Sequence, residues 1–482
     1  MTEPLATIKF GTDGWRALIA REFTFANVER VAQAYADFVS REAGTNTTPF
    51  VVIGFDRRFL SEHFAKRAAE IMVGNKFRVA LFTEAQPTPL ISWTVKELGA
   101  SGGIMITASH NPADFNGFKI KAPWGGSAFP ETTAAVENLV DAQAPKRGEI
   151  LDDGHQLIEP CIKSYRAHVS SYIDLDKIRS ATGRVVVDAM HGSAGNWVEE
   201  FLTGVSLKVE TIRSNRDCLF GGVNPEPIDQ NLGALKDRVI ETGAIVGLAT
   251  DGDADRVGAV NERGETMTMH DVVPLLLLHL SRQRKMSGAV VVSFSQSVLT
   301  KRIANAMGLE LHETPIGFKF IADLMLKEDV LLGAEESGGI GVKGHIPERD
   351  GVLNSLLFLE AIISSGKSPS EMLRELHREF GEFYFGRRDL HMPVARGQEL
   401  ESTLAQKPPH ELAGYEVTDV QTLDGAKLIL KDESWLLFRQ SGTEPVLRVY
   451  AEATSTAKRN ALLDAGQQLA APNTQELAAP KS

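Results

Sequence analysis

Short apolar runs alternate with amphipathic stretches along most of the chain. Residues 51–55 (Val-Val-Ile-Gly-Phe), 80–82 and 104–107 read as buried strands, each running into a polar turn. Between the first strands and the N-terminus, Val28, Val31, Ala32, Tyr35 and Phe38 recur at helical spacing, with Thr24 or Asn27 as the cap. Ser61 is placed to cap the next helix, and residues 86–89 (Gln-Pro-Thr-Pro) read as a turn. The same strand-then-turn pattern returns at residues 183–188, 244–250 and 288–292, with Ser295 or Ser297 capping the helix after the last. Residues 275–280 and 352–363 are apolar core-helix segments. Strands alternating with helices predict α/β domains with largely parallel sheets. Residues 435–450 read differently, as strand, turn, strand.

Length sharpens this picture. A chain of 482 residues predicts three or four domains at ~100–200 residues each. Composition shifts place boundaries near 155, 265 and 385, giving segments 1–155, 156–265, 266–384 and 385–482. The tail from residue 470 is expected to fray. Net charge is −12, which argues against a nucleic-acid or anionic-membrane partner. An anionic substrate must therefore meet a locally basic pocket. The two cysteines, Cys161 and Cys218, predict no disulfide framework and fit a reducing cytoplasm. The N-terminus reads as no signal peptide. No apolar run approaches the ~20 residues of a membrane span.

The candidate chemistry sits where strands end. Residues 107–112 (Thr-Ala-Ser-His-Asn-Pro) put the Ser109 hydroxyl and the His110 imidazole together on a turn, with Lys119 shortly after. Open α/β sheets bind ligands at the carboxyl ends of their strands. An ordinary polar turn would account for Ser-His alone. Arg16 lies in a glycine-flanked loop as a fixed cation with five donors.

Residues 251–256 (Asp-Gly-Asp-Ala-Asp-Arg) follow a strand with three alternate carboxylates, Asp251, Asp253 and Asp255. These repel unless a cation lies between them, and hard oxygen ligands suit Mg²⁺ or Ca²⁺. A solvated acidic turn is one alternative. An EF-hand loop is another; it fails at Arg256, where that loop needs glycine, and at the strand-like flank.

Three further turns add polar groups. Lys319 stands near a helix start, where an anion is favoured and a lysine is not, unless an anion is bound nearby. Residues 335–341 present Glu335 and Ser337, and a carboxylate can accept two vicinal hydroxyls. Arg439, Ser441, Gly442 and Thr443 pack a guanidinium, hydroxyls and backbone N–H groups into one turn, which is what a phosphate dianion needs.

Together these motifs resemble the α-D-phosphohexomutases, the phosphoglucomutase and phosphomannomutase family. The match spans residue 10 to about residue 450, with the motifs in the family's order. The resemblance implies three similar α/β domains with mixed sheets plus a smaller C-terminal α+β domain of the TATA-box-binding-protein type, around one central cleft. It implies that Ser109 carries a phosphoryl group and that Asp251, Asp253 and Asp255, with Ser109, hold one Mg²⁺. Arg16 would lie in the active site, with His110 and Lys119 moving protons or stabilising charge. Arg256 would face the substrate, Gly317 and Lys319 would lie near phosphate, Glu335 and Ser337 would hold sugar hydroxyls, and the 439–443 turn would bind phosphate.

The implied activity interconverts glucose 1-phosphate and glucose 6-phosphate through glucose 1,6-bisphosphate, in a cytoplasmic monomer or weak homodimer. Alternatives are mannose phosphate, dual specificity, or a synthase releasing glucose 1,6-bisphosphate. A haloacid-dehalogenase-like phosphatase using Asp251 as nucleophile is the alternative from another class. One departure stands out: Gly339 lies where several relatives carry histidine, and His345 or His110 is the proposed replacement proton carrier.

Overall fold

The computed structural model describes residues 7–11, 13–43, 48–204, 206–442 and 445–471. Among them four sheets form in chain order. The first has five strands, in the order Trp15–Leu18, Phe115–Lys121, Gly102–Ile106, Phe50–Phe55, Arg78–Leu81. Phe50–Phe55 runs parallel to both Arg78–Leu81 and Gly102–Ile106, whereas Phe115–Lys121 returns antiparallel.

The second sheet repeats this build with Leu207–Ile212, Gly183–Asp188 and Val246–Thr250 parallel, then Val257–Asn261 antiparallel. The third repeats it with Leu311–Thr314, Ala289–Ser293 and Val330–Ala334 parallel, then Ile340–Val342 antiparallel. The sheets are therefore mixed, not largely parallel. In each, a fully buried central strand ends in a loop and hairpins straight into its neighbour. Those three loops carry Ser109, Asp251 and Glu335. Two buried faces per central strand explain the continuous apolar runs.

The fourth sheet is antiparallel throughout: Tyr384–His391, Val446–Ala453, Trp435–Gln440, Ala426–Leu430, Tyr415–Gln421 and Glu411–Leu412. It has its own apolar core around Leu428, Phe438, Val449 and Leu462. Its contact with the third sheet's helix Val298–Ala306 runs through Glu452, which accepts from Ser297 Oγ and from the N–H of Val298.

Local signals resolved as follows. Thr24 caps the helix Phe25–Ala43, and Asn27 lies inside it, donating back to the Glu22 carbonyl. Ser61 is not a cap; Leu60 precedes the helix in a left-handed conformation and the Ser61 hydroxyl goes to Asp56. Residues 88 and 89 open the helix Thr88–Glu97, because proline suits a first helical turn. Ser297, and not Ser295, caps its helix. Of the tail expected to fray from residue 470, Ala470 instead ends the helix Thr456–Ala470 and is buried, and residues 472–482 lie outside the described residues. No helix among those described is long and apolar enough to cross a membrane.

Candidate active site

Ser109 sits at the end of Gly102–Ile106 in the left-handed region, with φ of 52°. Its Oγ donates to Asp251 Oδ2 at 2.8 Å and lies 3.3 Å from His110 Nδ1. Gly252 makes this approach possible, because a Cβ there would lie 2.5 Å from the Ser109 carbonyl oxygen. Burial and the cations Arg256, Arg16 and Lys119 hold the His110 imidazole well below its usual range, so it is neutral. Arg16 donates to Asn111 Oδ1 at 2.6 Å and so braces the same loop.

Asp251, Asp253 and Asp255 are fully buried, and one oxygen of each lies within 4.8 Å of the others. Asp251 Oδ1 accepts the N–H groups of Asp255 and Arg256. Burial, then the neighbouring Asp253 and Asp255, push Asp251 well above the usual carboxylate range. Asp253 is opposed by burial, yet Lys119 and Thr88 bring it below that range. Oδ1 of Asp253 and of Asp255 are buried without a hydrogen-bond partner. Orphaned buried carboxylate oxygens in a cluster whose three carboxylates approach this closely fit a hard divalent cation. The segment lies between strands Val246–Thr250 and Val257–Asn261, so the EF-hand reading fails on its flanks.

Lys119 reaches this cluster from Phe115–Lys121. Its Nζ is 2.9 Å from Asp13, 2.9 Å from Asp253 and 3.3 Å from Asp255. These carboxylates outweigh burial and raise its proton affinity. The loops carrying Asp251 and Glu335 meet through their backbones: Arg256 bridges Gly339, and the Val257 N–H donates to the Gly338 carbonyl. Arg256 points past Asp255 toward Glu226, its Nε buried without a hydrogen-bond partner. Burial pushes Glu335 up to about 7, against the pull of Arg349. Ser337 is half-buried beside it.

Sequence reasoning missed Arg349. Its guanidinium lies 2.8 Å from Asp255, 3.0 Å from Asp13 and 3.9 Å from Glu335. A Cβ on Gly339 would lie 2.4 Å from Arg349 Cδ, so the glycine leaves room for this arginine. Its only sequence signal is an Arg-Asp-Gly turn before an apolar helix, which is too common to point to a site. His345 is not a substitute carrier at this site. Its Nδ1 faces His168 Nε2 and its Nε2 lies 3.1 Å from Asp350, in a stack with Trp93. Of the two histidines, His110 alone contacts Ser109.

The remaining residues form a second group at the rim. Gly317, with φ of 138°, starts the helix Phe318–Lys327, and Lys319 is half-buried there. Burial lowers the Lys319 proton affinity, Asp13 opposes it, and Arg439 adds to the lowering. Asp424 ties this rim together, accepting from the Ile316 N–H and from Arg439 Nε, both at 2.8 Å. Ser441 is buried with its N–H on the Val446 carbonyl, and Gly442 is exposed with open space around it. Thr443 lies outside the described residues.

Comparison with known proteins agrees with this build. The phosphoglucomutase/phosphomannomutase models match in order: alpha/beta/alpha domain I over residues 7–147, domain II over 163–264, domain III over 270–380 and the C-terminal domain over 398–465. A phosphoglucomutase/phosphomannomutase of Thermococcus kodakarensis is 30% identical over 95% of this chain and 98% of its own. A phosphoglucosamine/phosphogalactosamine mutase of Sulfurisphaera tokodaii is 28% identical over 94% of this chain and 97% of its own. A crystal structure from Thermus thermophilus, described as a candidate phosphomannomutase, superposes with a TM-score of 0.84 at 36% identity, covering 97% of this chain and 99% of that one. Four matched domains leave no place for a dehalogenase-like phosphatase. The chain belongs to the phosphoglucomutase/phosphomannomutase family of phosphohexomutases, which are isomerases.

Proposed function

We propose that the protein is a phosphoglucomutase acting through phosphorylated Ser109 and a glucose 1,6-bisphosphate intermediate. One observation carries this reading: the Ser109 hydroxyl is held 2.8 Å from Asp251, in a buried cluster of three aspartates and Lys119 drawn from two sheets. Phosphoryl transfer needs positioning and charge neutralisation more than covalent chemistry.

Phosphoserine would lose its phosphoryl group to a free sugar hydroxyl; the Oγ–P bond breaks as a new P–O bond forms on the sugar. The bisphosphate then turns, and its other phosphate returns to Ser109. Asp251, Asp253 and Asp255, with an oxygen on Ser109, would hold Mg²⁺. When bound, that ion would supply positive charge to the transferring oxygens and loosen the carboxylates' hold on the Lys119 proton. Neutral His110 has a lone pair for a hydroxyl proton, and Lys119 donates to phosphoryl oxygens. Glu335 and Ser337 would take sugar hydroxyls. Arg256 would face the substrate, while Gly317, Lys319, Arg439, Ser441, Gly442 and Thr443 would take the non-transferring phosphate.

The relatives named above act on glucose, mannose, glucosamine or galactosamine phosphates by their descriptions, so the sugar is the open term. A coupled assay with glucose 1-phosphate, mannose 1-phosphate and glucosamine 1-phosphate, with trace bisphosphate and Mg²⁺, tests the assignment. Glucose 1-phosphate should give the highest kcat/KM. A higher value for either other sugar reassigns the substrate within the family. Bisphosphate accumulating as product would make the enzyme a synthase.

A further inference from the structure

Arg58 is fully buried at the end of Phe50–Phe55, and it does not touch the aspartate cluster. Its guanidinium instead gathers four backbone carbonyls of the serine loop. One terminal nitrogen donates to Ser109 O at 2.6 Å and Asn111 O at 2.7 Å; the other donates to Pro112 O at 2.7 Å and Phe115 O at 3.0 Å. A planar fork with fixed donors can span four acceptors in this way, and a lysine ammonium cannot.

The counter-charge closes a second path to the same serine. Arg58 Nε lies 3.2 Å from Asp56 Oδ2. That oxygen accepts the Thr107 hydroxyl at 2.6 Å, and Thr107 Oγ1 accepts the Ser109 N–H at 2.8 Å. Both backbone polar groups of Ser109 thus end on one buried ion pair. The ring of Phe220, from the second α/β domain, covers the guanidinium at 4.9 Å. A non-glycine residue at positive φ is strained and persists only where its surroundings over-determine it.

We propose that Arg58 is the positioning residue of the phosphoryl carrier: by clamping four loop carbonyls it holds left-handed Ser109 with Oγ toward Asp251. This rests on the phosphoserine reading. Its consequence is distinct from ligand binding. The clamp keeps the loop's carbonyl oxygens turned away from an incoming anion and keeps the phosphoryl group in line with the sugar hydroxyl. A loosened loop would bind sugar phosphate normally but transfer poorly, and would lose phosphoryl to water more often.

The test uses Arg58→Lys, which keeps the charge beside Asp56, and Thr107→Val, which cuts the second path. In the full-length Mg²⁺-loaded enzyme, Arg58→Lys should lower kcat for glucose 1-phosphate by about 10- to 100-fold, the scale of an ångström-sized misplacement. KM should stay near the wild-type value. Release of labelled phosphate from phosphoserine to water should rise, and amide hydrogen exchange over residues 107–115 should accelerate. Thr107→Val should show the same pattern more weakly, and it decides the matter if Arg58→Lys does not fold. Folded variants with wild-type kcat and wild-type exchange would overturn the proposal. A rise in KM alone would also overturn it, since that would make Arg58 part of substrate binding. If the wild type turned over no sugar phosphate, the proposed function would fail, while the exchange measurement would still decide whether Arg58 holds the loop.

Discussion

The floor of the cleft and its rim are built on opposite principles. On the floor, Asp13, Lys119, Asp253, Asp255 and Arg349 interlock at 2.8–3.3 Å. At the rim, Arg439 pairs with Asp424 among the described residues, and Gly442 faces open space. Charges on the floor act in a low effective dielectric with little screening. They are therefore suited to stabilising charge in a transferring group, and cost nothing to reorganise at that moment. A rim that must take one phosphate of a substrate in either orientation needs accessibility instead. Buried networks are also intolerant of partial loss, because each survivor becomes an unpaired buried charge.

The largest effect should come from the floor. Ser109→Ala should abolish phosphoryl transfer while calorimetry still detects glucose 1-phosphate binding; residual turnover at a tenth of wild type would remove Ser109 as the carrier. Acid-stable, hydroxylamine-resistant label on residue 109 is the matching observation. Excess chelator should likewise stop turnover, and Asp253→Asn should weaken Mg²⁺ binding without unfolding the chain. Full activity in EDTA would show that the aspartates serve only as counter-charges.

Next comes Arg349. Replacing it by methionine takes one of two cations from buried Asp13 and Asp255, leaving each with Lys119, and should cost up to about 3–5 kcal/mol in denaturant unfolding. Arg439→Ala should leave stability nearly unchanged. It should weaken binding or kcat/KM about 10- to 100-fold, since a hydrogen bond to a charged group is worth roughly 1.5–3 kcal/mol. The loss should be similar from glucose 1-phosphate and glucose 6-phosphate. Equal stability losses in the two variants would erase the contrast between floor and rim.

The smallest effect is a pH dependence. Glu335 is raised by burial to about 7 from an ordinary 4.5. Its protonated form therefore stabilises the folded chain fully below about pH 4.5, and that contribution is lost as pH rises through about 7. Accepting sugar hydroxyls with a carboxylate has the opposite sign. The kcat/KM should rise through about pH 7, and Glu335→Gln should lower it and flatten that step. An unchanged profile in Glu335→Gln would assign the step to another group.

Local chemistry in the sequence determined the strands, most caps and the identity of the polar loops. Buried strands need continuous apolar runs, and turns need glycine, proline and short polar residues, so both leave marks on neighbouring positions. The Ser109, Asp251 and Glu335 turns were legible for that reason, and the family resemblance gave them roles; Arg439, expected in a turn, instead ends the strand Trp435–Gln440. Tertiary structure alone decided which of them meet. Hairpins turned three parallel sheets into mixed ones, and backbone bridges from Arg256 and Val257 to the 338–339 turn joined two loops far apart in the chain. It alone showed Arg349 in the space above Gly339, His345 stacked away with His168, and Arg58 beneath the serine. These residues act across more than fifty positions of chain, and a long-range contact between single side chains imposes no periodicity a sequence can display.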